Sequence, residues 1–151
     1  MNQENPLTEI NSELELAFNY VEKTGENIFL TGSAGTGKTT FLRSLRQRSG
    51  KRMIVVAPTG VAAINATGVT IHSFFQIGFG PQVPTRFDEK GQEKNFRFNR
   101  DKINIIKSLQ LLIIDEISMV RADLLDAVDQ TLRRFREPNL PFGGVQLLLI
   151  G

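Results

Sequence analysis

The amino-acid sequence predicts an α/β fold in which helices cover both faces of a parallel β-sheet. Short apolar runs alternate with helical patterns, and two of these runs lead into a glycine-rich loop and a pair of carboxylates. This alternation favours parallel pairing, because the crossover between parallel strands has about the length of a helix. The 151 residues are enough for one domain with a core of normal size.

Four segments are predicted to be buried strands, because each is a short apolar run. They lie at residues 27–31, 52–58, 109–116 and 144–151. Four further segments are predicted to be helices. They lie at residues 12–23, 38–49, 61–66 and 121–136. In the last of them Asp123 lies in the first turn and Arg133 near the end, as the helix dipole favours.

Two parts of the chain stand apart from this alternation. Residues 1–26 form a predicted N-terminal helical segment, which precedes the domain at residues 27–151. Residues from about 78 to 100 are polar and rich in glycine and proline, which predicts a mobile surface insertion. Because the chain stops at Gly151, at the end of an apolar strand, we expect it to be a piece of a longer protein.

Composition and charge narrow the possible partners. The net charge is +2 and the isoelectric point is near 9.2, which is weakly compatible with a polyanion. There is no cysteine, so disulfides and thiolate metal sites are excluded. The sequence shows no secretory signal and no run near the roughly 18 apolar residues of a membrane helix. We expect a protein without membrane contact that is cytoplasmic or nucleoid-associated, or nuclear or mitochondrial in a eukaryote.

A glycine-rich loop, "GSAGTGKTT", follows the first predicted strand and matches the pattern G-x-x-x-x-G-K-S/T. Glycines let backbone N–H groups and the start of the next helix surround phosphates. Lys38 is expected to reach the β- and γ-phosphates, and the Thr39 hydroxyl to ligate Mg²⁺. The predicted nucleotide-binding residues are Gly32, Ser33, Ala34, Gly35, Thr36, Gly37, Lys38, Thr39 and Thr40. A chance glycine-rich turn is the alternative, and the flanking strand and helix argue against it.

The third predicted strand, "LLIID", ends in the acidic pair Asp115 and Glu116. Ligands bind at the carboxyl ends of parallel strands, so we expect this pair beside the phosphates. Asp115 is predicted to hold the Mg²⁺ shell, and Glu116 to orient and deprotonate the attacking water. With the phosphate loop, the pair predicts Mg²⁺-dependent nucleotide hydrolysis. The alternative is a solvated acidic pair that opens a helix.

The stretch "PTGVAAINATGVTIHSFF", which follows the second strand, predicts a second ligand. Its hydroxyls and backbone N–H groups lie at the sheet edge that also holds the phosphate loop. The small residues after Thr59 allow close approach of another chain, His72 and Ser73 add polar groups, and Phe74 or Phe75 offers a ring for a base. The alternative is that the phenylalanines belong to the core and His72 is a structural polar residue.

Four ordered motifs resemble those of PIF-family DNA helicases, which belong to superfamily I in the branch of the RecD-like and Dda-like enzymes. They are "FLTGSAGTGKTTFL", "APTGVAA…GVTIHSFF", "LLIIDEISMV" and "GGVQLLLIG". The resemblance covers residues 27–151 except the long insertion, and the pair "TGVAA" and "TIHSFF" is its most diagnostic part. It implies a P-loop NTPase fold, namely the first RecA-like motor domain of an ATP-dependent helicase that moves 5′ to 3′ on single-stranded DNA.

The resemblance also implies residue roles. The implied DNA contacts are Thr59, Gly60 and Val61 on the backbone, and His72, Ser73 and Phe74 further along the same strand. Ser118 and Met119 lie near the path that couples DNA to ATP. The sequence departs from the family at Glu15, which stands about where the family has a glutamine that reads adenine.

In the family, motif III continues beyond the position of Gly151, and a second RecA-like domain with arginines follows. We therefore expect the isolated chain to bind Mg²⁺–ATP weakly, to hydrolyse it barely, and not to unwind DNA. The stretch "NFRFNR" at residues 95–100 either contacts DNA or is a solvated loop. Two other classes stay open: another P-loop ATPase that acts on DNA, and a non-catalytic nucleotide-dependent binding module.

Overall fold

The computed structural model describes residues 12–33, 35, 37–82 and 98–151 of the chain. Strands and helices alternate within these residues, as the sequence predicts. The strands are β1 (Ile28–Leu30), β2 (Met53–Ala57), β3 (Val69–Thr70), β4 (Leu111–Ile114) and β5 (Gln146–Ile150). The helices are α1 (Ser12–Lys23), α2 (Lys38–Arg48), α3 (Gly60–Asn65), α4 (Ile71–Phe75), α5 (Arg100–Ser108) and α6 (Ala122–Phe135). Two short 3-10 helices, Ile117–Met119 and Pro141–Gly144, follow β4 and precede β5.

The strands form one parallel sheet in the order β1-β5-β4-β2-β3. At its centre β4 pairs with β2 through Ile114 and Val56, and with β5 through Ile114 and Leu149. The Asp115 amide extends this ladder by donating to the Val56 carbonyl at 2.9 Å. Because all pairs are parallel, the segments that follow the five strands start from the same edge of the sheet.

Alternating side chains of the sheet enter two separate cores. In β4, Leu111 and Ile113 belong to one core and Leu112 and Ile114 to the other, and all four are fully buried. Helices α1 and α2 pack on the first face, and α4, α5 and α6 on the second. Burial of each such side chain stabilises the fold by about 1.5–3 kcal/mol. The predicted α/β class, with helices on both faces of a parallel sheet, is confirmed.

Helix α1 shares its core with α2, so the described part of the predicted N-terminal segment packs on the sheet domain. Strand β3, helices α4 and α5 and the two 3-10 helices were not predicted from the sequence. Helix α5 begins at Arg100, where the Asn99 side chain caps it by accepting a bond from the Lys102 amide at 2.8 Å. Most of the predicted insertion, residues 83–97, lies outside the described residues. No helix in the described part of the chain is long and apolar enough to cross a bilayer.

Two backbone segments approach closely at Gly68, in the turn between α3 and β3. A Cβ atom at Gly68 would lie 2.3 Å from the Val55 carbonyl oxygen, well inside van der Waals contact. The Gly68 amide donates to the Ala63 carbonyl at 2.7 Å, and the Arg46 guanidinium donates to the Ala66 carbonyl at 2.8 Å. These contacts fix the turn, and the space beside Val55 admits no side chain at position 68. The turn in turn determines where β3 pairs with β2.

A polar contact holds α1 against the loop between α2 and β2. The Glu22 carboxylate accepts hydrogen bonds from the Ser49 hydroxyl at 2.5 Å and the Gly50 amide at 3.0 Å. The bond from Ser49, and after it the bond from Gly50, holds the pKa of Glu22 below its ordinary value of 4.5. Because the folded pKa is lowered, this contribution to stability is present above pH 4.5 and is lost as the pH falls through the folded pKa.

We therefore expect Glu22→Gln to lower the melting temperature at neutral pH, because a neutral amide accepts these bonds less strongly. The difference from the unsubstituted chain should vanish in acid, where Glu22 is itself protonated. Thermal unfolding followed by circular dichroism from neutral to acidic pH measures it, with Glu26→Gln as the control for net charge. A difference that persisted unchanged into acid would contradict the assignment.

Candidate active site and nucleic-acid interface

The phosphate loop connects β1 to α2. Gly35 and Gly37 have φ angles of +82° and +88°, a left-handed conformation that favours glycine. Gly37 precedes α2 and has no side chain to cap it, so the first backbone N–H groups of the helix stay open to an anion. The Lys38 ammonium group donates to the Gly32 carbonyl at 2.5 Å, across the loop. The loop thus has the backbone shape that its glycines predict.

The acidic pair follows β4, at the centre of the sheet. Strand β4 ends at Ile114, so Asp115 and Glu116 lie just beyond it. The Asp115 carboxylate accepts a hydrogen bond from the Glu116 amide at 2.9 Å. Glu116 is exposed and has a left-handed backbone, with φ 53° and ψ 44°. Such a conformation costs a non-glycine residue about 1–3 kcal/mol, and strain of this kind clusters at functional sites.

One cavity of about 440 Å³ brings together part of the predicted nucleotide site and two of the predicted DNA contacts. The other predicted DNA contacts, Gly60, His72, Ser73 and Phe74, do not line it. The predicted site residues that line the cavity are Lys38, Thr39, Thr59, Val61, Asp115 and Glu116. Three separate segments, the phosphate loop, the start of α3 and the end of β4, therefore face one space. Of the other predicted loop residues, Ser33 and Thr40 are exposed, and Ala34 and Thr36 lie outside the described residues.

The oxygens in this cavity fit Mg²⁺. Thr39 supplies a hydroxyl and Asp115 a carboxylate, the ligands that a hard cation prefers, and both line the cavity with Lys38. In nucleotide sites Mg²⁺ keeps several waters and takes one or two protein oxygens together with phosphate oxygens. Two protein ligands are therefore sufficient here.

Thr59 and Gly60 open α3 directly after β2. The Thr59 hydroxyl oxygen accepts a hydrogen bond from the Ala62 amide at 3.2 Å and so caps the helix. Its proton remains able to donate to another group. At Gly60 nothing lies within 4 Å of the place of a Cβ atom, and the Val61 side chain is 72% exposed. Another molecule can therefore approach this backbone closely.

His72 and Ser73 lie in α4, which follows the outermost strand β3. Because β3 is parallel to β2, α4 starts at the same carboxyl ends of the strands as α3. The Thr70 hydroxyl oxygen accepts a bond from the Ser73 amide at 3.1 Å, and the Ser73 side chain is exposed. The His72 Nδ1 atom lies 3.1 Å from the Ile77 carbonyl. Because a carbonyl only accepts, Nδ1 holds the proton in this bond and Nε2 is left for another partner.

The expectation that Phe74 or Phe75 stacks on a base is wrong. Their side chains are 4% and 1% exposed, because α4 turns both of them into the core. The two rings meet edge to face with centroids 4.8 Å apart. The Lys102 ammonium group also covers the Phe74 ring, 4.8 Å from its centroid. The alternative that these phenylalanines belong to the core is therefore correct.

Glu15, which stands near the family's adenine-reading glutamine, has a structural partner. Its carboxylate accepts two hydrogen bonds from the Arg48 guanidinium, at 3.0 and 3.2 Å. These bonds are the main cause of the lowered pKa of Glu15. Arg48 also covers the Phe18 ring at 4.0 Å. Since α2 rises about 1.5 Å per residue, its last turn is roughly 15 Å from the phosphate loop. Glu15 therefore ties α1 to the far end of α2.

Asn65 lines the cavity and was not predicted from the sequence. It lies four residues after Val61 on α3, and this spacing puts both on one helix face. That spacing is the signal that identifies it once Val61 is assigned to the site. Met119, which the resemblance placed near the coupling path, also lines the cavity and is 56% exposed.

Residues 9–151 match the protein-family model described as PIF1-like helicase. The chain belongs to the PIF1-like helicase family. The match includes α1, the whole sheet and all three segments of the cavity. It decides between the classes left open by the sequence in favour of the PIF1-like helicases.

PIF1-like relatives include yeast and human proteins. The ATP-dependent DNA helicase RRM3 of Saccharomyces cerevisiae is 40% identical over 144 residues, which are 92% of this chain and 19% of RRM3. The ATP-dependent DNA helicase PIF1 of Homo sapiens is 41% identical over 128 residues, which are 84% of this chain and 19% of that protein. The chain spans about a fifth of the length of these relatives.

Solved PIF1-like structures share the fold. Pif1 helicase from Bacteroides, in complex with ADP-AlF3 and single-stranded DNA, is 48% identical with a TM-score of 0.82, over 98% of this chain and 32% of that one. Pif1 helicase from Candida albicans is 37% identical with a TM-score of 0.76, over 96% and 33%. The predicted RecA-like domain of a PIF-family helicase is confirmed by these similarities.

Proposed function

We propose that this chain is the first motor domain of an ATP-dependent DNA helicase that moves 5′ to 3′ along single-stranded DNA. The observation that carries the proposal is the single cavity shared by Lys38, Glu116 and Thr59, because it joins a hydrolytic site to a segment assigned to DNA. The similarity to ATP-dependent DNA helicases, and to a Pif1 structure that contains single-stranded DNA, supports it.

The proposed reaction converts ATP and water to ADP and phosphate. Backbone N–H groups of the phosphate loop and the Lys38 ammonium group hold the phosphates, and Thr39 and Asp115 hold Mg²⁺. When bound, Mg²⁺ neutralises charge on the phosphate oxygens. Glu116, exposed beside the cavity, orients the attacking water and accepts its proton.

The proposed DNA interface runs along the same edge of the sheet. Thr59, Gly60 and Val61 contact the DNA backbone, which the open space at Gly60 and the exposure of Val61 support. His72 and Ser73 contact the strand further along, which their place after the neighbouring strand β3 supports. The buried ring of Phe74 does not contact the strand, and Phe74 supports the interface only as a core residue that holds α4 in place.

The proposed motor requires a second RecA-like domain that closes on the cavity and supplies positive charge to the transition state. A charge of this kind contributes roughly 10³–10⁵ in rate in arginine-finger systems. The 151-residue chain alone is therefore expected to bind Mg²⁺–ATP weakly, to hydrolyse it slowly and not to unwind DNA. Because Thr59 lies in the wall of the nucleotide cavity, closure on ATP is proposed to shift its contact along the strand.

The substitution Gly60→Ala tests the DNA assignment. Thr59→Ala is less informative, because it also removes the cap of α3. At Gly60 the added methyl group meets no atom of the chain, so a weaker response to DNA would indicate steric contact with an external ligand. We expect the DNA concentration for half-maximal stimulation of ATP turnover in the full-length protein to rise by about tenfold, equivalent to ~1.4 kcal/mol.

Gly25→Ala is the matched control, because it also adds a methyl group in open space but lies before β1, away from the carboxyl edge of the sheet. It should leave the stimulation by DNA unaltered. If Gly60→Ala behaved like Gly25→Ala, DNA would not pass over the start of α3. If turnover did not respond to DNA at all, the proposed motor function would fail.

A further inference from the structure

Phe79 is 90% exposed, more than any other large apolar side chain in the described part of the chain. Single exposed apolar residues are common on proteins, so exposure alone indicates no site. The unusual feature of Phe79 is that its ring has a fixed neighbour and its loop is anchored on both sides.

The ring of Phe79 packs on the imidazole of His72, with centroids 4.5 Å apart and planes tilted by 31°. His72 is itself held by the bond between its Nδ1 and the Ile77 carbonyl. The Ile77 amide donates back to the His72 carbonyl at 3.1 Å. One face of the Phe79 ring is therefore supported from inside, while most of its surface stays in water.

The loop around Phe79 is anchored to α6. The Gln82 side chain donates to the carbonyls of Gly78 and Gly80, at 2.7 and 3.0 Å, and so closes the loop on itself. The backbone N–H of Gln82 donates to the Asp123 carboxylate at 2.7 Å. The Arg121 guanidinium donates to the Gly80 carbonyl at 2.9 Å. A ring held in place before binding loses little freedom on binding, which favours affinity.

We propose that Phe79 is the ring on which an unpaired base of the single strand stacks, a role that the sequence predicted for Phe74 or Phe75. The inference rests on the proposed function and names the base contact of that interface. His72 and Ser73, already assigned to the strand, lie beside it. Arg121 is paired with Asp123 at 2.8 Å and positions the loop through its bond to Gly80. Single-strand sites hold bases by stacking them on exposed aromatic side chains, without reading sequence.

The chain contains no tryptophan, so Phe79→Trp introduces a single fluorescent reporter at the proposed contact. We would titrate this variant with an end-labelled oligothymidylate and follow tryptophan emission and label anisotropy together. We expect the emission to be quenched in step with the rise in anisotropy, because a stacked base quenches the indole. Phe79→Ala should weaken oligothymidylate binding by roughly 5- to 100-fold.

Two controls separate stacking from a change in folding. Tyr20→Ala, which removes another exposed ring on α1, should leave oligothymidylate binding unchanged. A sugar-phosphate oligomer without bases should bind the unsubstituted chain and Phe79→Ala equally, since it has nothing to stack.

The outcomes distinguish the two claims. Oligothymidylate binding with unchanged tryptophan emission, or equal affinity of Phe79→Ala, would overturn the inference and leave the proposed function standing. A loss of affinity in Phe79→Ala that also appeared with the base-free oligomer would likewise overturn it. Failure of the full-length protein to bind the oligothymidylate at low salt would overturn both.

Discussion

Substitution of Glu116 by glutamine in the full-length protein is expected to lower ATP turnover by about 100- to 10,000-fold, the usual contribution of a general acid–base group. The change removes the carboxylate that accepts the proton of the attacking water and keeps the length of the side chain. Asp115 and Lys38 stay in place, so nucleotide affinity is expected to persist. Phosphate release at saturating single-stranded DNA, with titration of a fluorescent nucleotide, measures both quantities.

Glu26→Gln is the control for this experiment. Glu26 is an exposed carboxylate that precedes β1, at the opposite edge of the sheet from the cavity, so its substitution should leave turnover unaltered. Turnover of Glu116→Gln at the rate of the unsubstituted protein would show that Glu116 is not the base. The non-catalytic nucleotide-dependent binding module would then be the better interpretation.

Gly68→Ala is expected to destabilise the fold strongly, although it adds only one methyl group. The new Cβ atom would meet the Val55 carbonyl oxygen at 2.3 Å, and Val55 cannot move because it pairs with Ile113 in the centre of the sheet. Overpacking of this kind costs about 1–3 kcal/mol or more. For a chain of this size the melting temperature should fall by roughly 5–10 °C, which thermal unfolding by circular dichroism measures.

Gly60→Ala provides the contrast, because its methyl group enters open space at the first turn of α3. Alanine is also the better helix former, so its melting temperature should be unchanged or slightly higher. Together the two variants separate a structural glycine from a proposed binding glycine. Equal melting temperatures for Gly68→Ala and the unsubstituted chain would mean that the α3–β3 turn can relax around a side chain.

The inner strands of the sheet were predictable because hydrophobicity alone identifies them. Strands β2, β4 and β5 lie inside the sheet, so they appear in the sequence as continuous apolar runs. Each strand was predicted one or two residues too long at each end, because buried loop residues such as Leu109 resemble strand residues. Strand β3 has two residues and shows no period at all, and its place depends on the contact at Gly68.

The arrangement of the proposed nucleotide site was predictable to a greater degree than that of the proposed DNA interface. The loop glycines, Lys38 and the acidic pair occupy fixed places relative to two strand ends, so sequence order determines their geometry. The phenylalanines were not predictable, because sequence does not show which ring faces the core. Phe74 lies in a short helix whose inner face is buried, whereas Phe79 lies five residues later in a loop fixed by Asp123 and Arg121.

Among the described residues, the outermost strands of the sheet are β1 and β3, which have three and two residues, whereas the inner strands have four or five. An edge this short offers few unpaired N–H and C=O groups to a strand of another molecule. Two copies of the domain are therefore not expected to join their sheets into aggregates.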